Sequence, residues 1–305
     1  MNKKIITALI ALTLIVPATT HAVDAPKTAT LAIIDTAIDT SLPLFSGKIV
    51  HEVCILEWNS CPNGTSFMEG PGAATIPLNI ISKNGFDHGT QMASAAVLTN
   101  PNLNIVFIRI IGNTASGSRQ ISNEITFVNA MNWIINNKDK FNIKAVSMSQ
   151  GHHNMAKTAN YCPTTPLTEK AINSLLAAGI PTFLPAGNLR DMTRVSWPSC
   201  IPSSFSISAS AIGDGVASYT NYDKNLTDFF ALGSMQVFLP GGKKVNAAGT
   251  SVSVNVAGAL WIYLVNKNPS YTYQQVLDLL NSKSIPISSS KAKGKLISAE
   301  VIVVG

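Results

Sequence analysis

The sequence predicts an α/β fold: a single domain in which a mostly parallel sheet is flanked by helices. Three observations predict it. Short apolar runs rich in branched residues recur along the chain, stretches with helical spacing separate them, and no linker, repeat or change of composition divides the 305 residues. Strands and helices in alternation are the pattern of a parallel sheet covered on both faces. Apolar residues make up 46% of the chain, enough for a large core, which excludes a disordered or fibrous protein. Only 12% of residues are charged and the formal net charge of +6 forms no Lys/Arg cluster, which argues against nucleic-acid binding.

At the amino end, Lys3 and Lys4 precede an apolar run over residues 5–16, then Pro17 and the small-residue stretch Ala18-Thr19-Thr20-His21-Ala22. This is the layout of a secretory signal peptide over residues 1–22. The run is shorter than the roughly 20 residues a spanning helix needs, so the expectation is export to the periplasm or the medium, with no membrane anchor. Residues 23–305 then form the predicted domain. Its buried strands are read at 30–34, 104–110, 143–148 and 180–184. A small-residue helix follows His88 over 91–97. Ile121, Ile125, Val128, Trp133 and Ile135 are spaced as the inner face of a helix over 120–138, and Leu167, Ala171, Leu175 and Ala178 as that of a helix ended by Gly179. Further on come a hairpin pairing 235–239 with 243–245 around Pro240-Gly241-Gly242, and helices over 251–266 and 272–282.

All four cysteines, Cys54, Cys61, Cys162 and Cys200, follow the predicted cleavage point, and an even count in an exported chain points to disulfides. Four cysteines allow three pairings. Cys54 with Cys61 and Cys162 with Cys200 is favoured, the first stapling a loop and the second joining two Pro-rich loops.

Open α/β sheets put their chemistry at the carboxyl ends of the strands. Asp35 stands there after the first strand, in Ile33-Ile34-Asp35-Thr36. His88 opens its helix in Asp87-His88-Gly89-Thr90, where the helix dipole favours the neutral imidazole that a general base needs. Asn188, in Pro185-Ala186-Gly187-Asn188, offers an amide donor after a strand. Ser251, in Gly249-Thr250-Ser251-Val252-Ser253, sits at the mouth of an apolar helix whose backbone N–H groups face an anion. The adjacent pair His152-His153 has no further ligand at metal spacing, and no metal is expected there.

The order Asp35, His88, Asn188, Ser251, each in the local sequence just quoted, resembles the subtilisin-like serine proteases. Competing triad families fail on order. No histidine follows His153, so the sequence lacks the later His of an α/β-hydrolase, and the strand–helix alternation is foreign to a chymotrypsin-like chain. The resemblance runs from about Thr30 to Asn268. It extends to Ser116-Gly117-Ser118 and Ser149-Gln150-Gly151, which match the two family segments that pair with the substrate backbone, and to Trp197-Pro198-Ser199, which is similar to a family loop carrying a cis-proline.

The resemblance implies a serine endopeptidase acting on polypeptides, with Ser251 as nucleophile, His88 as base, Asp35 as its orienting acid and Asn188 as oxyanion donor. It implies no cofactor for the chemistry. A structural calcium ion is compatible with the family, but Leu44 occupies the position where many relatives have a calcium-binding Asp, which argues against that usual first site. Most secreted relatives carry a folding propeptide, whereas only residues 23–29 separate the predicted signal from the first strand, so folding unaided or with a maturation partner is expected. Gln150 replaces a usual Leu and His152 a usual Gly at the wall of the specificity pocket. A silent secreted binding protein on this scaffold, or an esterase using the same triad, is the alternative.

Overall fold

β1 (Thr30–Asp35) is buried along its whole length, and its alternate side chains enter two different cores. Leu31 and Ile33 point to one face, Ala32 and Ile34 to the other, the period of two that a pleated strand imposes. The computed structural model describes residues 27–304 apart from 84, 115, 121–122, 153–161 and 163–165. The predicted signal peptide, Ile121 and His153 therefore lie outside the described residues.

After β1 the chain forms β2 (Ile49–Ile55), β3 (Phe67–Glu69), a single turn α1 (Leu78–Ile81), α2 (His88–Thr99) and β4 (Asn104–Arg109). A small hairpin of β5 (Gly112–Asn113) and β6 (Arg119–Gln120) leads to α3 (Glu124–Asn137), β7 (Ile143–Met148), α4 (Pro166–Ala177), β8 (Thr182–Pro185) and β9 (Phe205–Ser210). The remainder is β10 (Thr227–Leu232), the ribbon β11 (Ser234–Phe238) and β12 (Lys244–Ala248), α5 (Thr250–Lys267), α6 (Tyr273–Lys283), β13 (Ile285–Ser288) and β14 (Lys293–Ile297). The main sheet runs β13-β14-β10-β9-β8-β7-β1-β4-β2-β3 and is parallel except at its two outermost pairings, β13 with β14 and β2 with β3. The predicted mostly parallel α/β architecture is what the chain adopts.

Helices α2, α5 and α6 cover one face of the sheet, and α3 and α4 the other. α5 is buried on nearly every side, which explains its largely apolar sequence, and Trp261 is fully buried. In α3 the expected phase is shifted. Asn123 caps the helix by accepting from Thr126 N at 3.2 Å, so the helix starts at residue 124, not 120. Phe127, Met131 and Ile134 then face the core with Val128 and Trp133, and Ile125 is 49% exposed. In α4, Thr168, Ala171, Ile172 and Leu175 face inward, while Leu167 and Ala178 are exposed. Both errors come from counting apolar residues alone: a buried Thr takes a place in the stripe that an apolar count leaves blank.

Disulfides join Cys54 to Cys61 and Cys162 to Cys200. Among the described residues, no helix is long and apolar enough to cross a membrane.

Candidate active site

β1 delivers Asp35 to the carboxyl edge of the sheet, where it is fully buried. A carboxylate without water needs donors, and Asp35 Oδ1 accepts from Thr36 N at 2.7 Å and from His88 Nδ1 at 2.8 Å. His88 Nδ1 also lies 3.0 Å from Oδ2. Thr36 sets this distance: its hydroxyl donates to Phe86 O at 2.8 Å and accepts from Gly89 N at 2.9 Å, pinning the start of α2 to the end of β1. Gly89 is needed for the approach, since a Cβ there would stand 2.4 Å from Ala37 O.

The helix dipole does not set the direction in which the pKa of His88 moves. Burial does pull its pKa down, but the charge of Asp35 and its hydrogen bond more than offset that, with Asp87 adding to them and Arg119 opposing, and the pKa stands above the ordinary histidine value. A full carboxylate charge at 2.8 Å outweighs the roughly half-charge of a helix terminus.

Ser251 is the second residue of α5, on the same sheet edge. Its hydroxyl donates to Ser149 O at 3.5 Å and makes no hydrogen bond to His88. Asn188 follows the turn after β8. Its Oδ1 accepts from Thr250 N at 2.9 Å and from Thr250 Oγ1 at 3.0 Å, while Gly187 N donates to that same hydroxyl at 3.2 Å. With its oxygen so held, the amide nitrogen of Asn188 lies over Gly249, one residue from Thr250 and two from Ser251. It is an exposed donor with a set direction. Beneath, the fully buried Asn255 donates to Ser149 Oγ and to Ser251 O, both at 2.9 Å, and accepts from Ser147 Oγ at 2.6 Å. This network locks the first turn of α5 to the end of β7.

Ser149, Gln150 and Gly151 follow β7 directly, and His152 pairs with Trp197 through two backbone hydrogen bonds of 3.0 and 2.9 Å. A cavity of ≈ 200 Å³ opens beside Ser251, lined also by Ser149, Gly151, His152 and Asn188. A second, of ≈ 320 Å³, lies beyond His152 among Ile110, Phe127, Met148, Gln150 and Trp197. Ser116, Gly117 and Ser118 are in the turn between β5 and β6, with Gly117 N donating to Thr114 O at 2.9 Å and Thr114 N to Ser118 O at 2.9 Å. The Trp197–Pro198 peptide is cis.

Among the described residues, no group of three or more His, Cys, Asp or Glu side chains is set to hold a metal ion. Leu44 packs its side chain against the core. Sequence reasoning missed Thr36, Thr250 and Asn255. Asn255 had a signal, a lone amide in the apolar run Val252 to Leu260, one turn beyond Ser251.

An imidazole paired with a buried carboxylate, a serine at a helix N-terminus and an oriented amide donor, all on the carboxyl edge of a parallel sheet, are the kinds of group that acyl transfer in the serine-hydrolase class draws on. Within that class the chain belongs to the subtilase family, whose model matches residues 26–299. It is 28% identical over 279 residues to Subtilisin NAT of Bacillus subtilis subsp. natto, an alignment covering 87% of this chain and 62% of that protein. The chain thus spans about three fifths of that relative's length. In fold it is similar to a cold-adapted subtilisin-like serine proteinase (TM-score 0.63, 18% identity, 90% of each chain) and to a lanthipeptide protease (TM-score 0.68, 14% identity, 90% of this chain and 87% of that one).

Proposed function

We propose that the protein is an exported serine endopeptidase with Ser251 as its nucleophile. The observation that carries this reading is that the Asp35–His88 pair, Ser251 and the oriented Asn188 amide stand on one sheet edge, with Ser251 and Asn188 lining a cavity large enough for a side chain. Ser251 Oγ attacks the scissile carbonyl carbon and gives its proton to His88 Nε2. Asp35 holds the Nδ1–H tautomer and stabilises the imidazolium. The carbonyl oxygen, now an anion, accepts from Asn188 Nδ2 and from the Ser251 backbone N–H. His88 then protonates the leaving amine, the C–N bond breaks, and water reverses these steps to release the acid.

In the free enzyme the Ser251 hydroxyl rests against Ser149 O, and substrate binding turns it to His88, in keeping with catalytic hydrogen bonds that tighten only in the complex. The substrate backbone pairs with the segment Ser149-Gln150-Gly151 and with Ser116-Gly117-Ser118, main-chain bonds giving affinity and the two cavities side-chain preference. Residues 1–22 direct export, and the steps above require no cofactor.

The test is labelling of the purified mature protein and of Ser251→Ala with a fluorophosphonate probe, with casein cleavage followed in the same samples. Labelling of the parent alone, with loss of casein, is the expected result. Labelling without cleavage of any polypeptide in a peptide library favours an esterase. A folded parent that neither labels nor cleaves refutes the enzyme and leaves the scaffold as a binding protein.

A further inference from the structure

Gln150 has its backbone on the segment that pairs with substrate, yet its side chain turns back toward the end of β1. Its Nε2 donates to Asp35 Oδ1 at 3.3 Å, the oxygen that also accepts from Thr36 N and His88 Nδ1. Asp35 is fully buried, so each of these donors replaces water that the carboxylate lost on folding. Leucine, the family's usual residue at this position, has no donor to give.

We propose that Gln150 is a positioning residue for the Asp35–His88 pair: its amide steadies the carboxylate against His88 and takes up part of its negative charge, so that the imidazolium is held less tightly than Asp35 alone would hold it. The proposal rests on the reading of these two residues as the proton-transfer pair of the site. The charged groups around them come from every neighbouring element. Asp87 precedes His88 at the start of α2 and favours its protonation, and Arg119 on β6 opposes it. Arg109 stands opposite Asp35 in β4, but its guanidinium is turned away and donates to Ile111 O, Ser60 O and Asn113 Oδ1. Gln150 is thus a neutral donor reaching Asp35 from the substrate-binding segment. Because it also lines the ≈ 320 Å³ cavity, a substrate side chain filling that space removes water from beside the amide and strengthens its bond to Asp35.

The experiment is a ¹⁵N NMR titration of the His88 imidazole in the purified chain and in Gln150→Met and Gln150→Lys. Methionine keeps the length and loses the donor, and lysine sets a full positive charge near the carboxylate. Expected are opposite displacements of the His88 midpoint, upward by about half to one pH unit for methionine and downward by about as much for lysine. Midpoints that stay in place, or move in one direction in both variants, overturn the proposal, because a mere change of packing has no reason to reverse sign with charge. If one variant fails to fold, the other decides by the sign of its own displacement. The titration is read in folded protein whether or not it turns over. An unlabelled parent with opposed shifts therefore refutes the protease while keeping this role for Gln150, and a labelled parent without them does the reverse.

Discussion

Thr250 gives both its backbone N–H and its hydroxyl to a single atom, Asn188 Oδ1, at 2.9 and 3.0 Å. The residue before the proposed nucleophile therefore orients the proposed oxyanion donor. An amide whose oxygen is bound twice presents its nitrogen in one direction, and that is what preorganised stabilisation of a developing charge demands.

Asn188→Ala should lower kcat by on the order of 10²–10³ with little change in KM, since its donor acts on the tetrahedral state more than on the bound substrate. Thr250→Val, which keeps the shape and removes one of the two bonds, should lower kcat by about tenfold. Steady-state kinetics on a peptide ester check both. An equal fall in the two variants would show that Thr250 does more than aim the amide.

Asp35 raises the pKa of His88 against the pull of burial, and a general base works only when neutral. The acid limb of kcat/KM should therefore lie above the ordinary histidine value of about 6.5, with activity kept into the alkaline range. Asp35→Asn should move that limb down while lowering kcat by about 10⁴. The same shift acts on stability: the contribution of the pair is fully present below the unfolded histidine pKa and is lost as pH rises through the higher folded value. Urea melts across that interval, set against Asp35→Asn, read it out.

Asn255→Leu should destabilise the fold by about 1–3 kcal/mol, because it strands the hydroxyl of Ser147 in a buried site and removes the amide donor to Ser149 Oγ. It also frees the first turn of α5 from β7, so kcat should fall in variant protein that is still folded. Denaturant melts with kinetics on the same preparation separate the two effects.

The disulfides differ in the loops they close, 38 residues apart for Cys162–Cys200 and 7 for Cys54–Cys61. Chain-entropy arithmetic assigns about 4 kcal/mol to the first and about 2 kcal/mol to the second. Paired Cys→Ser variants, compared by chemical denaturation, should show that order.

Much of the site could be read along the chain because each proposed reacting group sits in its own short motif. Asp35 ends an apolar strand, His88 opens a helix before glycine, and Ser251 stands where an apolar helix begins. The helix faces were read less well. Thr168 in α4 and the Asn123 cap of α3 are polar residues that set the phase, and an apolar count passes over them. Strands β2, β3, β10, β13 and β14 were not singled out, since they are short or mix buried with exposed positions and lack the continuous apolar run of a central strand.

What the sequence by itself determined is the alternation of strand and helix, the parallel sheet that follows from it, and the candidate groups at the carboxyl ends of its strands. These are local properties, carried by periodicity over a few residues. Only the tertiary structure decided which polar atoms meet: Gln150 with Asp35 across 115 residues, Asn188 with Thr250 across 62, Asn255 with Ser149 across 106. It also decided the sign of the His88 shift. The reason is that a hydrogen bond or a charge acts through distances of a few ångströms in space, and the packing of the sheet and α5 sets those distances for residues far apart in the chain.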